Sequence, residues 1–291
     1  MDSDLKHGYV ETEPGVWLHY VEQGAGPLVV LLHGFPEFWF SWRQQLPVLA
    51  AAGFRAVALD QRGYNLSSKP RGLEHYRVER LARDVAQTIA HFGHDQAAAG
   101  HEQAAAGHPQ AAVVGHDWGG GVAWAFAMRY PERLHKLAII DAPHPLTFAQ
   151  HLRKPDQLRR SWYMFFFQLP WLPEAALRAG NFAVVRRQLH APEYVEALSR
   201  PGALTATINY YRALFRGGLP SLRAAARTPI HVPVLIIWGD RDAFLGPDLA
   251  EPPATLVPNR RLERLADVGH WPHLEQPERV NDLLIRFLKD G

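Results

Sequence analysis

Cysteine is absent from the 291 residues, so disulfides, thiolate nucleophiles and thiolate-held metal clusters are all excluded. Long apolar runs are absent too. The longest purely aliphatic stretch is residues 28–32, far short of the roughly 20 residues a membrane span takes. Residues 1–11 are polar and acidic and lack an apolar core, so no secretory signal is visible. Neither sign of charge prevails: 31 Lys and Arg stand against 29 Asp and Glu, a formal net charge of +2. Twenty-six of the cations are arginine and they are spread along the chain, so no nucleic-acid-binding face is expected. What is present, 47% hydrophobic and 21% charged residues, is the make-up of an ordinary folded protein. The expectation is a soluble, cytoplasmic protein, monomer or homodimer, with no nucleic-acid or membrane partner.

Short apolar runs alternate with longer stretches of helical periodicity, the pattern of a parallel sheet with crossover helices. Strands are predicted at 16–22, 28–32, 55–59, 111–115, 137–140 and 234–238, nearly all continuously apolar, as strands buried on both faces are. Between them, Val78, Leu81, Val85 and Ile89 place an apolar stripe on a helix over 76–92. From 145 to 228 the strand rhythm stops. Aromatic and arginine-rich helical segments take over, interrupted by prolines. This predicts a helical cap of residues 145–228 inserted into a discontinuous core of 1–144 and 229–291. A second insertion, 93–110, is low in complexity: a seven-residue unit, GHDQAAA, recurs three times with small changes. Its His94, His101 and His108 share a spacing that could suit a metal. A tandem duplication in an exposed connection, without function, explains them more simply.

Chemistry concentrates in four places. Val113-Val-Gly-His-Asp-Trp-Gly-Gly-Gly121 joins a buried strand to a helix. Gly115-His-Asp117-Trp-Gly119 fits the strained small-x-nucleophile-x-small elbow, with Asp117 where an esterase carries serine; a phosphate-binding or purely structural turn would look similar. Asp242 follows the strand at 234–238, and His270 follows 28 residues later, giving the order nucleophile, acid, histidine that an elbow enzyme requires. Asp242 could orient His270, and His270 could act as general base; Asp240 and His273 are rivals for those roles. Directly after the strand at 28–32, His33-Gly34-Phe35-Pro36 turns a backbone N–H toward the elbow. With the N–H of Trp118 it could form an oxyanion hole.

The blocks HGFPEFWFSWR (33–43), DQRGYNLSSKP (60–70), VVGHDWGGGVAW (113–124), WGDRDAFL (238–245) and GHWPHLEQPERV (269–280) together resemble the epoxide hydrolases of α/β-hydrolase fold, a superfamily shared with haloalkane and fluoroacetate dehalogenases. The resemblance implies an α/β fold with a mostly parallel central sheet flanked by helices and a helical cap between core strands. It implies that Asp117 attacks the epoxide, that His270 with Asp242 activates the hydrolytic water, and that the N–H groups of Phe35 and Trp118 hold the oxyanion. It carries two cap tyrosines as proton donors onto Tyr163 and Tyr211, with Tyr210 and Tyr194 as rivals, and gives Glu37 a part in placing the water or the histidine. Phe38, Trp39, Trp162, Phe166 and Phe167 are candidates for the pocket of a small apolar epoxide that reacts with water. No metal or other cofactor is implied. A dehalogenase would use the same Asp117, His270 and Asp242, but Phe35 stands where haloalkane dehalogenases place asparagine. The elbow also lacks the Asp-Arg of the fluoroacetate type, and Tyr163 replaces its histidine. A non-catalytic binding protein of the same fold is the remaining alternative.

Overall fold

The computed structural model describes residues 5–98 and 109–290. Most of the repeat at 93–110, including His101 and His108, lies outside them. Eight strands form one sheet in the order β1-β2-β4-β3-β5-β6-β7-β8. They are β1 (Lys6–Glu13), β2 (Val16–Gln23), β3 (Leu28–Leu32), β4 (Arg55–Leu59), β5 (Ala111–His116), β6 (Leu134–Ile140), β7 (Val234–Gly239) and β8 (Arg260–Leu265). β1 and β2 run antiparallel to their neighbours, and every pair from β4 through β3 to β8 is parallel. The central strands are buried along their whole length, which is why they read as unbroken apolar runs. The two edge strands, β1 and β8, are absent from the sequence prediction. Each is only partly buried and is rich in polar or charged residues, so neither shows a continuous apolar run.

The sheet is covered on both sides. One layer contains α2 (Val78–Ala98) and α3 (Trp118–Arg129); the other contains α1 (Leu46–Ala51) and α12 (Pro277–Lys289). The helix predicted from residue 76 is α2, preceded by a short 3-10 turn at Leu73–Tyr76. Between β6 and β7 every described element is helical: α4 (Pro145–His151), α5 (Pro155–Arg160), α6 (Trp162–Phe166), α7 (Leu172–Leu189), α8 (Pro192–Ser199), α9 (Ala203–Ala213) and α10 (Leu219–Ala225). The prolines that interrupt this part of the sequence mostly begin helices: Pro145, Pro155, Pro173, Pro192 and Pro220 all sit in first turns. There the missing N–H costs nothing and the fixed φ is already helical. Among the described residues no helix is long and apolar enough to cross a membrane. The parallel strands all end on one edge of the sheet, below the helices of the cap, and the loops leaving that edge carry the candidate residues.

Candidate active site

The turn from β5 into α3 is closed by glycine. A Cβ on Gly119 would run into the Leu32 carbonyl, and one on Gly115 into the Gly119 carbonyl. With both side chains absent, α3 starts directly after the strand, and Asp117 is held at φ 47° and ψ −117°. That strained conformation lifts its carboxylate clear of the backbone. The two carboxylate oxygens have different surroundings. Oδ2 accepts a hydrogen bond from the Phe35 N–H at 2.8 Å, while Oδ1 lies 3.8 Å from His270 Nε2. Trp118 supplies the next N–H, at the first residue of α3.

His270 comes from the loop between β8 and α11 (Pro272–Glu275), and Asp242 from the loop after β7. His270 Nδ1 and Asp242 Oδ2 are 2.6 Å apart and both residues are buried. The second oxygen of Asp242, Oδ1, accepts from the N–H groups of Phe244 and Leu245 at 2.6 and 2.9 Å. Asp242 is thereby fixed before it meets the imidazole. Burial by itself lowers the pKa of His270, but the carboxylates of Asp242, Asp117 and Asp141 outweigh it and push the imidazole up to about 10. The resting site therefore holds an imidazolium between Asp117 and Asp242. The rivals are occupied elsewhere: Asp240 pairs with Arg264 at 2.8 Å, and His273 lies against Glu37.

Two buried groups beside this trio have no role in the sequence reading. Asp141 directly follows β6 and is held at φ 41°. Its Oδ1 accepts from the Gly239 N–H at 2.8 Å. Burial, then the nearby Asp242 charge, raise its pKa well above the carboxylate range, which favours its protonated form. A carboxylate directly after a predicted strand was the available signal, the same signal that singles out Asp242. His116, inside the elbow at 115–119, is the other. Its Nδ1 lies 2.7 Å from Glu37 Oε2 and its Nε2 lies 2.7 Å from the His270 carbonyl. Glu37 Oε2 also accepts from the Gly34 N–H at 2.7 Å, and Oε1 lies 3.3 Å from His273 Nε2. Burial would raise Glu37, but His116 and His273 outweigh it and hold it well below the usual range. Glu37 thus ties the loop carrying Phe35 to the loop carrying His270, and it does not line the cavity above Asp117. Glu37, His116 and His273 form one close group, and Asp141, Asp242 and His270 another. In both, carboxylate–imidazole pairing accounts for the closeness without an ion.

A cavity of about 290 Å³ opens over Asp117. Trp118, Tyr163 and Tyr211 share it with the carboxylate, and its walls are apolar: Val78, Phe148, Leu152, Met164, Phe215 and Leu222 among them. The rings of Tyr163 and Tyr211 meet edge to face at 5.8 Å, and Tyr211 meets Trp118 at 5.0 Å. Burial and the Asp117 charge raise both phenols well above their ordinary value, partly offset by hydrogen bonding. The rival tyrosines point away: Tyr210 donates to the Arg62 carbonyl at 2.7 Å, and Tyr194 lies 3.1 Å from Ser41 Oγ. The aromatic pocket candidates fall elsewhere. Phe167 packs behind Phe35 and Tyr211, Trp162 is exposed, and Phe166 packs on Trp162 and Phe167. Phe38 and Trp39 border a separate groove with His7 and Asn65. These aromatic clusters lie mostly off the cavity, whose walls come chiefly from the elbow, the segment after β6, α4, α6, the turn after α9 and Leu222 of α10. Outside the elbow, the walls are mostly aliphatic or scattered aromatic positions with no local signature.

An elbow aspartate, a histidine–aspartate pair and an N–H at the nucleophile, carried on the ends of parallel strands, match one family. The alpha/beta hydrolase fold family covers residues 27–277. The chain belongs to that family. Among α/β-hydrolase-fold relatives it is 39% identical over 308 residues to the AB hydrolase superfamily protein YfhM of Bacillus subtilis (strain 168), covering 98% of this chain and 99% of that one. It is 37% identical to Epoxide hydrolase 4 of Homo sapiens, over 98% of this chain and 79% of that one. It is also similar to a crystal structure of a mutant epoxide hydrolase from Bacillus megaterium complexed with its product, (R)-3-[1]naphthyloxy-propane-1,2-diol. There the TM-score is 0.82 and the identity 33%, over 97% of this chain and 100% of that one.

Proposed function

We propose that this α/β-hydrolase is an epoxide hydrolase that converts an apolar epoxide and water into a vicinal diol through an ester on Asp117. The observation that carries the reading is the pair Tyr163 and Tyr211, two phenols facing an ionisable nucleophile across an apolar cavity. Ring opening needs a group that delivers a proton to the leaving oxygen, and a phenol held above its ordinary pKa stays protonated until that oxygen develops charge. A departing halide would instead call for N–H donors around it.

Asp117 Oδ1 attacks an epoxide carbon opposite the breaking C–O bond, while Tyr163 and Tyr211 hold and protonate the oxygen. Oδ2 remains on the Phe35 N–H and becomes the ester carbonyl oxygen. Alkylation also removes the Asp117 charge, one of the carboxylate charges that raise His270. The imidazolium then releases its proton more readily, to the phenolate that ring opening leaves, so forming the ester prepares the base. Neutral His270 takes a proton from water, which attacks the ester carbon. The oxyanion rests on the N–H groups of Phe35 and Trp118, and the diol leaves as Asp117 re-ionises. An apolar, aryl-bearing epoxide fits the cavity walls, and the diol bound by the Bacillus megaterium relative carries a naphthyl group.

The test is a single turnover of His270→Gln with styrene oxide, followed by intact-mass spectrometry. The expected result is a mass gain of the whole epoxide on the peptide containing Asp117, with no diol released. No adduct in the variant and no diol from the wild type, with turnover of haloalkanes or haloacids instead, would transfer the reading to a dehalogenase. Inertness toward all of them would leave a binding protein.

A further inference from the structure

The cap carries a charge and an apolar face that the chemistry at Asp117 does not use. Residues 145–228 hold twelve Lys and Arg against four Asp and Glu, while the rest of the chain holds 19 against 25. A near-neutral total therefore conceals a basic cap on an acidic core. The even spread of arginine along the sequence hides this, because the asymmetry comes mainly from a shortage of acids in the cap.

On the outside of the same cap, Leu158 of α5, Trp162 and Phe165 of α6, Leu169 of the turn that follows and Leu172 at the start of α7 recur every three or four residues. Each is at least 40% exposed, and Trp171 beside them is 72% exposed. The opposite side of this segment, Gln157, Ser161, Met164 and Phe167, is buried. Arg153, Lys154 and Arg159 flank the stripe and are exposed. Arg178 shares a groove with Trp171, and Arg216 donates to the Gln168 carbonyl. Among the described residues the cap's own ion pairs use other cations, Arg200 with Glu196 and Arg212 with Glu174.

Exposed aromatic and aliphatic side chains ringed by arginine suit the headgroup layer of an anionic bilayer, where the apolar groups enter the interface and the cations meet lipid phosphate. A second copy of the chain fits less well, because a two-fold contact would set one basic cap against another. The stripe also leads to the cavity: Phe165 is both exposed and part of the lining, with its ring 5.3 Å from that of Phe215, another lining residue.

We propose that the outer face of the cap docks peripherally on anionic lipid bilayers, setting the cavity mouth at a surface where apolar molecules concentrate. The docking rests on the surface alone and is independent of the reaction at Asp117. It is tested by flotation of the intact protein with phosphatidylcholine vesicles, with and without phosphatidylglycerol. Binding should favour the anionic vesicles by about tenfold or more at low salt and weaken as salt rises. Trp171→Ser with Leu158→Ser should abolish it. Arg159→Glu with Arg178→Glu should weaken it roughly tenfold or more, while circular dichroism and melting temperature stay those of the wild type. Absence of flotation, equal binding to neutral and anionic vesicles, or binding that survives both double variants would overturn the proposal. A dimer in light scattering that dissociates in Trp171→Ser with Leu158→Ser, with no vesicle binding by the wild type, would assign the stripe to self-association instead.

Discussion

Replacing His270 with glutamine probes the charge state on which the resting site is built. The imidazole sits 2.6 Å from Asp242 Oδ2 and 3.8 Å from Asp117 Oδ1, and these neighbours take its pKa from 6.5 to about 10. A folded-state value above the unfolded one means that the group binds its proton more tightly in the native protein. The stabilisation is therefore complete below pH 6.5 and is lost as the pH rises through about 10. At about 1.4 kcal/mol per pH unit, the contribution reaches about 5 kcal/mol near pH 6, about 3 at pH 8 and about 1 at pH 9. Glutamine keeps a polar side chain of similar reach but cannot titrate. Urea unfolding of wild type and His270→Gln across pH 6 to 9.5 should show a stability gap that narrows by several kcal/mol as the pH rises. A gap that stays constant or widens with pH would mean that His270 is neutral at rest, and ester formation would then have no proton to release from it.

The central strands and the chain order of Asp117, Asp242 and His270 were legible in the sequence because one physical signal carries each of them. A strand buried on both faces must be apolar throughout, and a nucleophile on a sharp turn must have glycine where backbone meets backbone, as Gly115 and Gly119 do. The edge strands gave no such signal: β8 reads Arg-Arg-Leu-Glu-Arg-Leu and is buried only in part. The position of Asp141 carries a signal in the sequence, but its environment does not. Its raised pKa comes from burial and then from Asp242, about a hundred positions away in sequence and brought close only by the pairing of β6 with β7. The cavity walls follow the same logic. Phe148, Leu152 and Leu222 converge because α4 and α10 fold over the elbow, whereas the sequence-adjacent aromatic run 165–167 divides, Phe165 facing outward and into the cavity mouth and Phe167 buried behind the tyrosines.

Three further outcomes follow from the geometry. Tyr163→Phe and Tyr211→Phe should each slow ester formation by about 10²-fold, as loss of a positioned general acid does. In a stopped-flow assay the pH optimum should shift little, because the remaining phenol is also held well above its ordinary value. Gly119→Ala should destabilise the protein by about 1–3 kcal/mol or prevent folding, since its methyl group meets the rigid Leu32 carbonyl; a variant melting with the wild type would refute that packing. The two buried carboxylates beside His270 should part company. Asp242 is the imidazole's ionised partner, so Asp242→Asn should lower turnover by about 10³–10⁴-fold through the wrong tautomer and orientation. Burial favours the protonated form of Asp141, and asparagine has its shape and can still accept from the Gly239 N–H. Asp141→Asn should therefore leave turnover within a few-fold of the wild type and stability within about 1 kcal/mol. If the two variants lost activity equally, Asp141 would have to be ionised. The imidazolium would then keep the full charge of Asp141 beside that of Asp242 after the Asp117 ester has formed, and it would stay too firmly protonated to act as a base.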